Sequence, residues 1–442
     1  MCDHPGQPNR KGTSVRYGKG SEDENTPSSE PTGRDLYLEE LLQLRIDAGE
    51  VKRGPGYLYR PGEILVATGD EQVVQTRLRA FGVKAETQDR PTEGFLQVRV
   101  EADHTVPELL SILRQSRTGD RPVVSANHIL WGTGGNITGG PFSFSLPASR
   151  PERLRDNDPG GRTVGILDTG IALRAGVPEH PFLEKCVVVA PATDDEARDE
   201  HPADNHLDFE AGHGTFCAGV VIQRAPYARV AVHRVLASDG IAAETDVARA
   251  LRFLVKQAKP DILSLSFGGY TDGDAPLLAL GDAIGALPPD LVVVAAAGNH
   301  GEARPFWPAA QKRVIAVGAL QARNGPAFGS HAQGLTDPAA YSNFGWWVDA
   351  WAPGDWISSF FVQEDDTEFT LPGPDHEKVG PRDFDGWARW EGTSFATPSV
   401  AGAIAALAER DGVPVREAAF RLIQAAGAPR VPFTKGGGAI VF

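Results

Sequence analysis

Three polar residues that are far apart in the sequence each stand at the end or the start of a predicted element. Asp168 ends the apolar run "TVGILD", His213 lies between two glycines in "AGHGTFCAG", and Ser394 lies in "EGTSFATP", just before an alanine-rich helical pattern. Taken singly, each could be a turn residue, a buried structural histidine or a helix cap. Together they supply a nucleophile, a base and a carboxylate that orients the base, which nucleophilic catalysis at a hydroxyl requires.

The turn before Ser394 suits this chemistry. We expect Gly392 and Thr393 to place Ser394 in the first turn of a helix, where free backbone N–H groups and the positive end of the helix dipole stabilise a developing oxyanion. Pro398 is expected within that turn or just past it, where few or no helical hydrogen bonds are lost. Asn299 in "VVVAAAGNHG" follows a buried strand, and by itself this pattern indicates an ordinary turn.

Two patterns of apolar residues predict the elements that position these side chains. From about Arg60 to Leu130 the order is β-α-β-β-α-β, which is typical of a small ferredoxin-like α+β domain. Beyond a segment rich in Gly, Pro and Ser, continuous apolar strands alternate with helical patterns, which indicates an α/β domain with a parallel sheet between helix layers. The predicted organisation is a flexible tail (1–59), a small domain (60–130), a linker (131–160) and a large catalytic domain (161–442).

Composition limits the class of protein. The chain has 442 residues, a formal net charge of −15 and a hydrophobic fraction of 41%, which describes an acidic globular protein that should repel nucleic acid and anionic membranes. Its three cysteines match neither a disulfide framework nor a zinc-ligand spacing. No segment has the pattern of a signal peptide or the length of a bilayer span, so we expect a cytoplasmic location, with secretion by another route left open.

The segments "VGILDTG", "GHGTFCAG" and "GTSFATPSVAGAIAAL", in this order, resemble the three signature segments of subtilisin-like serine proteases. The resemblance extends over residues 160–442 and implies a three-layer α/β fold and an endopeptidase that acts on peptides or proteins. It makes Ser394 the nucleophile, His213 the base and Asp168 the residue that orients the base. It also assigns Asn299 as a side-chain donor of the oxyanion hole.

The same resemblance predicts the substrate cleft. The family binds an extended peptide as an added strand along a Ser-Leu-Gly stretch, and the matching stretch here is Ser266-Phe267-Gly268. In "PFWPAA", Phe306 stands where relatives often have glycine at the base of the pocket for the residue before the cut. We therefore expect a shallow pocket that accepts small or modest side chains.

Residues 60–130 resemble the propeptide of these proteases, a domain that assists folding and then inhibits the enzyme. This implies self-cleavage between about Leu130 and Arg150, with a permanent accessory domain as the alternative. Two other functions remain open: processing of one dedicated precursor, and a catalytically silent homologue that only binds peptides.

Five features depart from the family pattern or leave a question open. Phe395 replaces the methionine that often follows the nucleophile, Phe216 replaces a second histidine, and Cys217 resembles a buried, packed cysteine of the proteinase K branch. Residues 360–388 form an insertion that could shape the cleft. The acidic run at 193–210 could bind calcium, but it has no fixed ligand spacing and a charge run is usually a solvated face. We assign no metal ligand and expect no required cofactor.

Overall fold

The structure is a computed structural model. It describes residues 42–101, 103–115, 121–132, 146–147, 160–188, 194–200, 207–208, 210–321, 337–370, 378–424, 430–431, 435 and 437–441.

The N-terminal part follows the predicted order of elements. It contains a helix over residues 42–47 (α1), β1 (Lys52–Gly54), β2 (Tyr57–Ala67), α2 (Glu71–Ala80), β3 (Lys84–Asp89), β4 (Phe95–Glu101), α3 (Val106–Arg114) and β5 (Val124–Gly132). The strands form an antiparallel sheet in the order β5-β2-β4-β3. Val74 and Leu78 of α2 and Leu109 and Leu113 of α3 pack into one core with the apolar face of this sheet, as a ferredoxin-like domain requires.

The prediction of a flexible tail over residues 1–59 is wrong for residues 42–59, which form a helix and two strands or parts of strands. Leu42 and Ile46 of α1 pack against a small cluster of apolar side chains, and β1 pairs with β2. Arg45 Nε also lies 2.7 Å from Asp239 Oδ2 in the large domain. The apolar face of α1 and the ion pair between Arg45 and Asp239 thus order this segment. Residues 1–41 lie outside the described part of the chain.

The large domain contains a parallel sheet flanked by helices. Its strands are β6 (Leu146–Pro147), β7 (Thr163–Asp168), β8 (Leu173–Arg174), β9 (Val177–Pro178), β10 (Arg229–Arg234), β11 (Ile241–Ala243), β12 (Ile262–Leu265), β13 (Phe267–Gly268), β14 (Val292–Ala296), β15 (Val314–Leu320), β16 (Ala350–Pro353), β17 (Ile357–Thr370), β18 (Lys378–Trp390) and β19 (Ala439–Ile440). Its helices are α4 (Pro181–Cys186), α5 (His213–Arg224), α6 (Glu244–Ala258), α7 (Ala279–Gly285), α8 (Thr393–Asp411) and α9 (Val415–Gln424).

The central sheet has the order β10-β7-β12-β14-β15-β16-β19, and every neighbouring pair is parallel. Successive side chains of β7 show how both faces are covered: Ile166 packs in a core with α5, α8 and α9, whereas Leu167 packs in a core with α6 and α7. This confirms the predicted three-layer α/β architecture. In the described part of the chain, no helix is long and apolar enough to cross a bilayer.

Two further pairings bear on the site. β5 of the N-terminal domain pairs antiparallel with both β11 and β13, so the small sheet continues directly into the large domain. The insertion predicted at 360–388 lies within an antiparallel hairpin of β17 and β18. Its Phe360 and Phe361 are buried next to glycines of α5 and its N-cap, so the hairpin covers the helix that begins at His213.

Candidate active site

The carboxylate of Asp168 is held at the C-terminal end of β7. Its Oδ1 lies 2.7 Å from His213 Nδ1 and also accepts the backbone N–H of Thr169 at 2.8 Å. Both Asp168 and His213 are 0% exposed. Because Nδ1 donates to this carboxylate, Nε2 is the nitrogen that remains to accept a proton.

Small residues let the helix that carries His213 approach the strand that carries Asp168. Gly212, the N-cap of α5, has φ +80°, a left-handed conformation that glycine adopts without strain. A Cβ on Gly214 would lie 2.1 Å from the carbonyl oxygen of Gly170, so only glycine fits there. Gly214 is therefore required by the approach of α5 to the turn after β7, and Gly212 by its left-handed backbone conformation.

Ser394 is the second residue of α8, as the sequence predicts, but its hydroxyl is bonded to backbone. Ser394 Oγ donates to the carbonyl oxygen of Ser266 at 3.1 Å, and Ser266 Oγ donates in return to the carbonyl oxygen of Ser394 at 2.8 Å. His213 Nε2 has no hydrogen-bond partner among the described residues. The structure thus shows the bond between base and carboxylate and does not show one between nucleophile and base.

Pro398 lies just past the first turn of α8, as the sequence predicts. It is the sixth residue of α8, so one helical hydrogen bond, to the carbonyl of Ser394, is lost. Ser266 Oγ–H at 2.8 Å and the Cys217 thiol at 3.7 Å donate to that carbonyl instead. The proline therefore leaves the Ser394 carbonyl available to side chains that fix the nucleophile segment to β12 and α5.

Asn299 is anchored beside the nucleophile through its amide oxygen. Asn299 Oδ1 accepts the backbone N–H of Thr393 at 3.0 Å and the Thr393 hydroxyl at 2.7 Å. Because both donors belong to the residue before Ser394, the carboxamide is fixed at the N-terminus of α8. The role expected for its nitrogen, donation to an oxyanion, is compatible with this anchoring.

A second carboxylate approaches the imidazole. Glu210 Oε2 lies 3.5 Å from His213 Nε2, and both side chains are almost fully buried. Burial alone lowers the pKa of His213, but the negative charges of Asp168 and Glu210 outweigh it, so this pKa lies well above its ordinary value. Sequence reasoning missed Glu210, although its place three residues before His213 is the signal that could have found it.

Aromatic rings enclose the other side of the imidazole. The ring centroids of Trp390 and Phe395 lie 5.6 and 5.3 Å from that of His213, and Phe216 packs on Phe395 at 4.4 Å. Burial raises the pKa of the neighbouring Cys217 thiol to about 11, so the thiol is protonated at neutral pH and packs rather than reacts. The imidazole is therefore bordered by aromatic rings as well as by the carboxylates of Asp168 and Glu210.

The prediction that the acidic run is a solvated face is wrong for its described acidic residues nearest the site. Glu196 is buried; its Oε2 accepts the backbone N–H and the hydroxyl of Thr215 at 3.0 and 2.5 Å, and its Oε1 accepts the hydroxyl of Thr169. Asp208 is also buried and accepts the Ser238 hydroxyl.

The carboxylates of Glu196 and Asp208 therefore bind donors of the protein itself. Among the described residues, the group with a spacing that could hold a metal ion is Asp168, His213 and Cys217, which belongs to the candidate active site itself.

The predicted substrate-binding residues lie along one strand edge. Phe267 and Gly268 pair with Gly132 and Trp131 of β5, whereas the carbonyl of Ser266 is bonded to Ser394. Phe306 is fully buried, and its ring would lie 2.3 Å from a Cβ on Gly268. The residues are thus brought together as expected, with the edge occupied by the N-terminal domain.

Comparison with known proteins identifies a family and several relatives. The subtilase family matches residues 160–438. A thermophilic serine proteinase of Bacillus sp. (strain AK1) is 30% identical over 268 residues, which cover 58% of this chain and 55% of that protein. Thermitase of Thermoactinomyces vulgaris is 30% identical over 260 residues, which cover 57% of this chain and 76% of thermitase. The chain thus matches only about half the length of the Bacillus relative.

A solved structure resembles the fold over most of the chain. Fervidolysin from Fervidobacterium pennivorans, described as a keratinolytic enzyme related to subtilisin, aligns with a TM-score of 0.57 at 19% identity, over 88% of this chain and 61% of fervidolysin. At this identity the similarity supports the fold alone. Because the family match covers more than half of the 442 residues and includes Asp168, His213 and Ser394, the chain belongs to the subtilase family.

Proposed function

We propose that this subtilase is a serine endopeptidase that cleaves peptide bonds through an acyl-enzyme on Ser394. The observation that carries the proposal is the placement of the His213 imidazole. Its Nδ1 lies 2.7 Å from Asp168 Oδ1, and its ring packs at 5.3 Å on that of Phe395, the residue next to Ser394. A base oriented by a buried carboxylate beside a serine at a helix N-terminus is the arrangement that activates a hydroxyl.

In the proposed reaction, Ser394 Oγ attacks the carbonyl carbon of the scissile bond and its proton passes to His213 Nε2. The hydroxyl first turns from the Ser266 carbonyl toward this nitrogen by rotation about one side-chain bond. The imidazolium then gives the proton to the leaving amine as the C–N bond breaks. Water, deprotonated by the same nitrogen, releases the acyl group, while Asp168 stabilises the imidazolium. No step of this scheme uses a metal or an organic cofactor.

The oxyanion of the tetrahedral intermediate would be held by two donors at the N-terminus of α8. One is the backbone N–H of Ser394, which belongs to the first helical turn and so has no acceptor within the helix. The other is the side-chain amide of Asn299, whose oxygen is anchored on Thr393. Donors fixed before the reaction need no reorganisation when charge develops, which is why they lower the barrier.

A fluorophosphonate probe tests this function. We expect one covalent label per folded chain, located on Ser394 by peptide mass spectrometry, with no label in Ser394→Ala and strongly slowed labelling in His213→Ala. Folded protein that takes up no label after its N-terminal domain is removed from the cleft would instead support a catalytically silent peptide-binding protein.

We also propose that the N-terminal domain is a propeptide that is removed by self-cleavage between about Leu130 and Arg150, within the predicted linker. The support for this proposal is the position of β5. It lies between β11 and β13 and pairs antiparallel with both, which is how a peptide binds when it adds as a strand. Intact mass of purified protein tests this: wild type should lose its N-terminal part and Ser394→Ala should stay full length. Wild type that stays uncut yet fully active would show a permanent accessory domain.

A narrower function, processing of one dedicated precursor, is favoured by the extra segment that forms the hairpin of β17 and β18, whose Phe360 and Phe361 cover α5. Profiling with a diverse peptide library distinguishes a processing enzyme from a general protease. A processing enzyme should cut a few related sequences, and a general protease should cut many.

A further inference from the structure

The strand that occupies the cleft shows how a peptide fits there residue by residue. In β5, Trp131 pairs with Gly268 on one side and with Ile241 on the other, and Gly132 pairs with Phe267. The backbone N–H of Gly132 also donates to the carbonyl oxygen of Gly240 at 2.9 Å. The backbones of Trp131 and Gly132 are therefore paired on both sides, which fixes the position of each residue in the cleft.

Trp131 rests on three aromatic rings of the large domain. Its ring centroid lies 6.1 Å from that of Tyr270, 5.9 Å from that of His300 and 5.7 Å from that of Phe306, at interplanar angles of 60–74°. We call Tyr270, His300 and Phe306 the aromatic platform. Its rings also pack on one another, with Tyr270 at 5.1 Å from His300 and 5.2 Å from Phe306, so the platform is built without Trp131. Tilted and edge-on ring contacts at these distances stabilise an aromatic guest beyond its buried area.

The next position leaves no room for a side chain. A Cβ on Gly132 would lie 2.9 Å from Cδ of Glu210 and 3.0 and 3.1 Å from its two carboxylate oxygens. Glu210 is itself 1% exposed and packs on the adjacent Gly240 as well, where a Cβ would lie 2.6 Å from its Cγ, so a methyl group at residue 132 would have to displace a buried carboxylate. The carboxylate next to His213 Nε2 thus closes the cleft at this point to residues larger than glycine.

From these contacts we infer that the cleft selects peptides in which an aromatic residue is followed directly by glycine. The aromatic side chain takes the place of Trp131 on the aromatic platform, and the glycine takes the place of Gly132 beneath Glu210.

Ser266, whose carbonyl is bonded to Ser394, precedes Phe267 in the strand that pairs antiparallel with β5. The cut therefore lies beyond the glycine, and the aromatic residue is not the residue directly before the cut. This inference rests on the proposed peptidase function and names the substrate class of the same cleft. The chain's own "ILWGTGG" carries this pair.

Internally quenched peptides test the inference on the purified protein. The reference peptide has the sequence of residues 127–138, NHILWGTGGNIT. Replacing its tryptophan by alanine should lower kcat/KM by at least about tenfold, since three ring contacts are lost, and phenylalanine should restore most of it. Replacing its first glycine by alanine should also lower kcat/KM by at least about tenfold, because the methyl group overlaps Glu210. Replacing the terminal threonine by alanine is the control.

Variants of the enzyme locate the two contacts. Glu210→Ala should reduce the preference for glycine over alanine to about twofold, and the ratio is compared because Glu210 also lies near His213 and will change the overall rate. His300→Ala should reduce the preference for tryptophan over alanine. Trp346→Ala, which alters a ring 82% exposed outside the aromatic platform, should change neither ratio.

If β5 stays in the cleft of the full chain and no added peptide is cut, the rate of fluorophosphonate labelling tests the inference instead. Trp131→Ala and Gly132→Ala in the full chain should each raise the rate of fluorophosphonate labelling of Ser394 several-fold, because β5 is held less tightly. Trp131→Phe should label nearly as slowly as wild type, and Val123→Ala, at an exposed position before β5, should match wild type. Equal cleavage of all peptides, or equal labelling of all variants, would overturn the inference alone, whereas absence of any labelling would refute the peptidase function and the inference with it.

Discussion

Replacing Asn299 by aspartate or by alanine separates the two roles that the structure gives this residue. Its Oδ1 anchors Thr393 by accepting two hydrogen bonds, at 3.0 Å from the backbone N–H and at 2.7 Å from the hydroxyl. The proposed catalytic role uses the N–H groups of the same amide. Aspartate keeps an acceptor for Thr393 and lacks the donor, whereas alanine lacks both.

We expect turnover of Asn299→Asp to fall by about 10²–10³, or about 2.7–4 kcal/mol in the barrier, which is the cost of one lost oxyanion donor as measured on another enzyme of this family. Peptide affinity should stay nearly unchanged, because the donor acts mainly on transition-state charge. Asn299→Ala should show the same loss of turnover. It should also lose about 1–3 kcal/mol of unfolding free energy, because Thr393 is left with a buried N–H that has no acceptor.

The assay combines steady-state hydrolysis of the reference peptide, product inhibition and urea unfolding on the same preparations. Gln223→Glu is the matched control: Gln223 Nε2, on α5 away from the cleft, donates to the carbonyls of Gly219 and Ser358, each at 3.2 Å. This variant should lose stability while each folded molecule keeps its turnover. If Asn299→Asp retains turnover within about twofold of wild type, or loses affinity and turnover equally, the oxyanion assignment is wrong.

The remaining predictions concern the pKa of His213, the close packing of α5 at Gly214, and the pocket for the residue before the cut. Glu210→Gln removes a negative charge that favours the imidazolium, so the pKa of His213 should fall. The acid limb of the pH profile for Ser394 labelling should then move to lower pH. An unchanged profile would show that this carboxylate does not act on the base. Gly214→Ala places a methyl group 2.1 Å from the Gly170 carbonyl, so urea unfolding should show a loss of about 1–3 kcal/mol or more, together with slow labelling. Phe306→Gly should broaden acceptance toward large aromatic side chains before the cut, and a wild type that already prefers Phe or Tyr there would contradict the shallow pocket.

The identities of the candidate catalytic residues were predictable from the sequence because their signals are local. Asp168 ends a strand that is apolar on both faces, and His213 and Ser394 begin helices rich in small residues. Each signal depends on a few neighbouring side chains and on the end of one element. Apolar runs alternating with helical patterns likewise predicted the three-layer fold, since a strand buried on both faces needs helices on both sides.

The substrate edge was predicted only through the resemblance, and the sequence alone did not show what occupies it. The pairing of β5 with β11 and β13 joins segments of two domains, and nothing in the local pattern of "VSANHILWG" specifies those partners. The sequence alone did not show the aromatic platform either. Tyr270 follows β13, whereas His300 and Phe306 lie in the connection between β14 and β15, so the three rings meet only in the folded chain.

The tertiary structure alone decided the electrostatics of the site and the state of its nucleophile. Glu196 and Glu210 lie in a run whose charge suggested exposure, yet packing buries both beside the residues that carry the proposed chemistry. The hydroxyl of Ser394 is bonded to Ser266, 128 positions earlier in the chain. Sequence periodicity reports which face of an element is apolar, but it does not report which distant polar group meets another, because that depends on how the elements pack and which donors burial leaves to be satisfied.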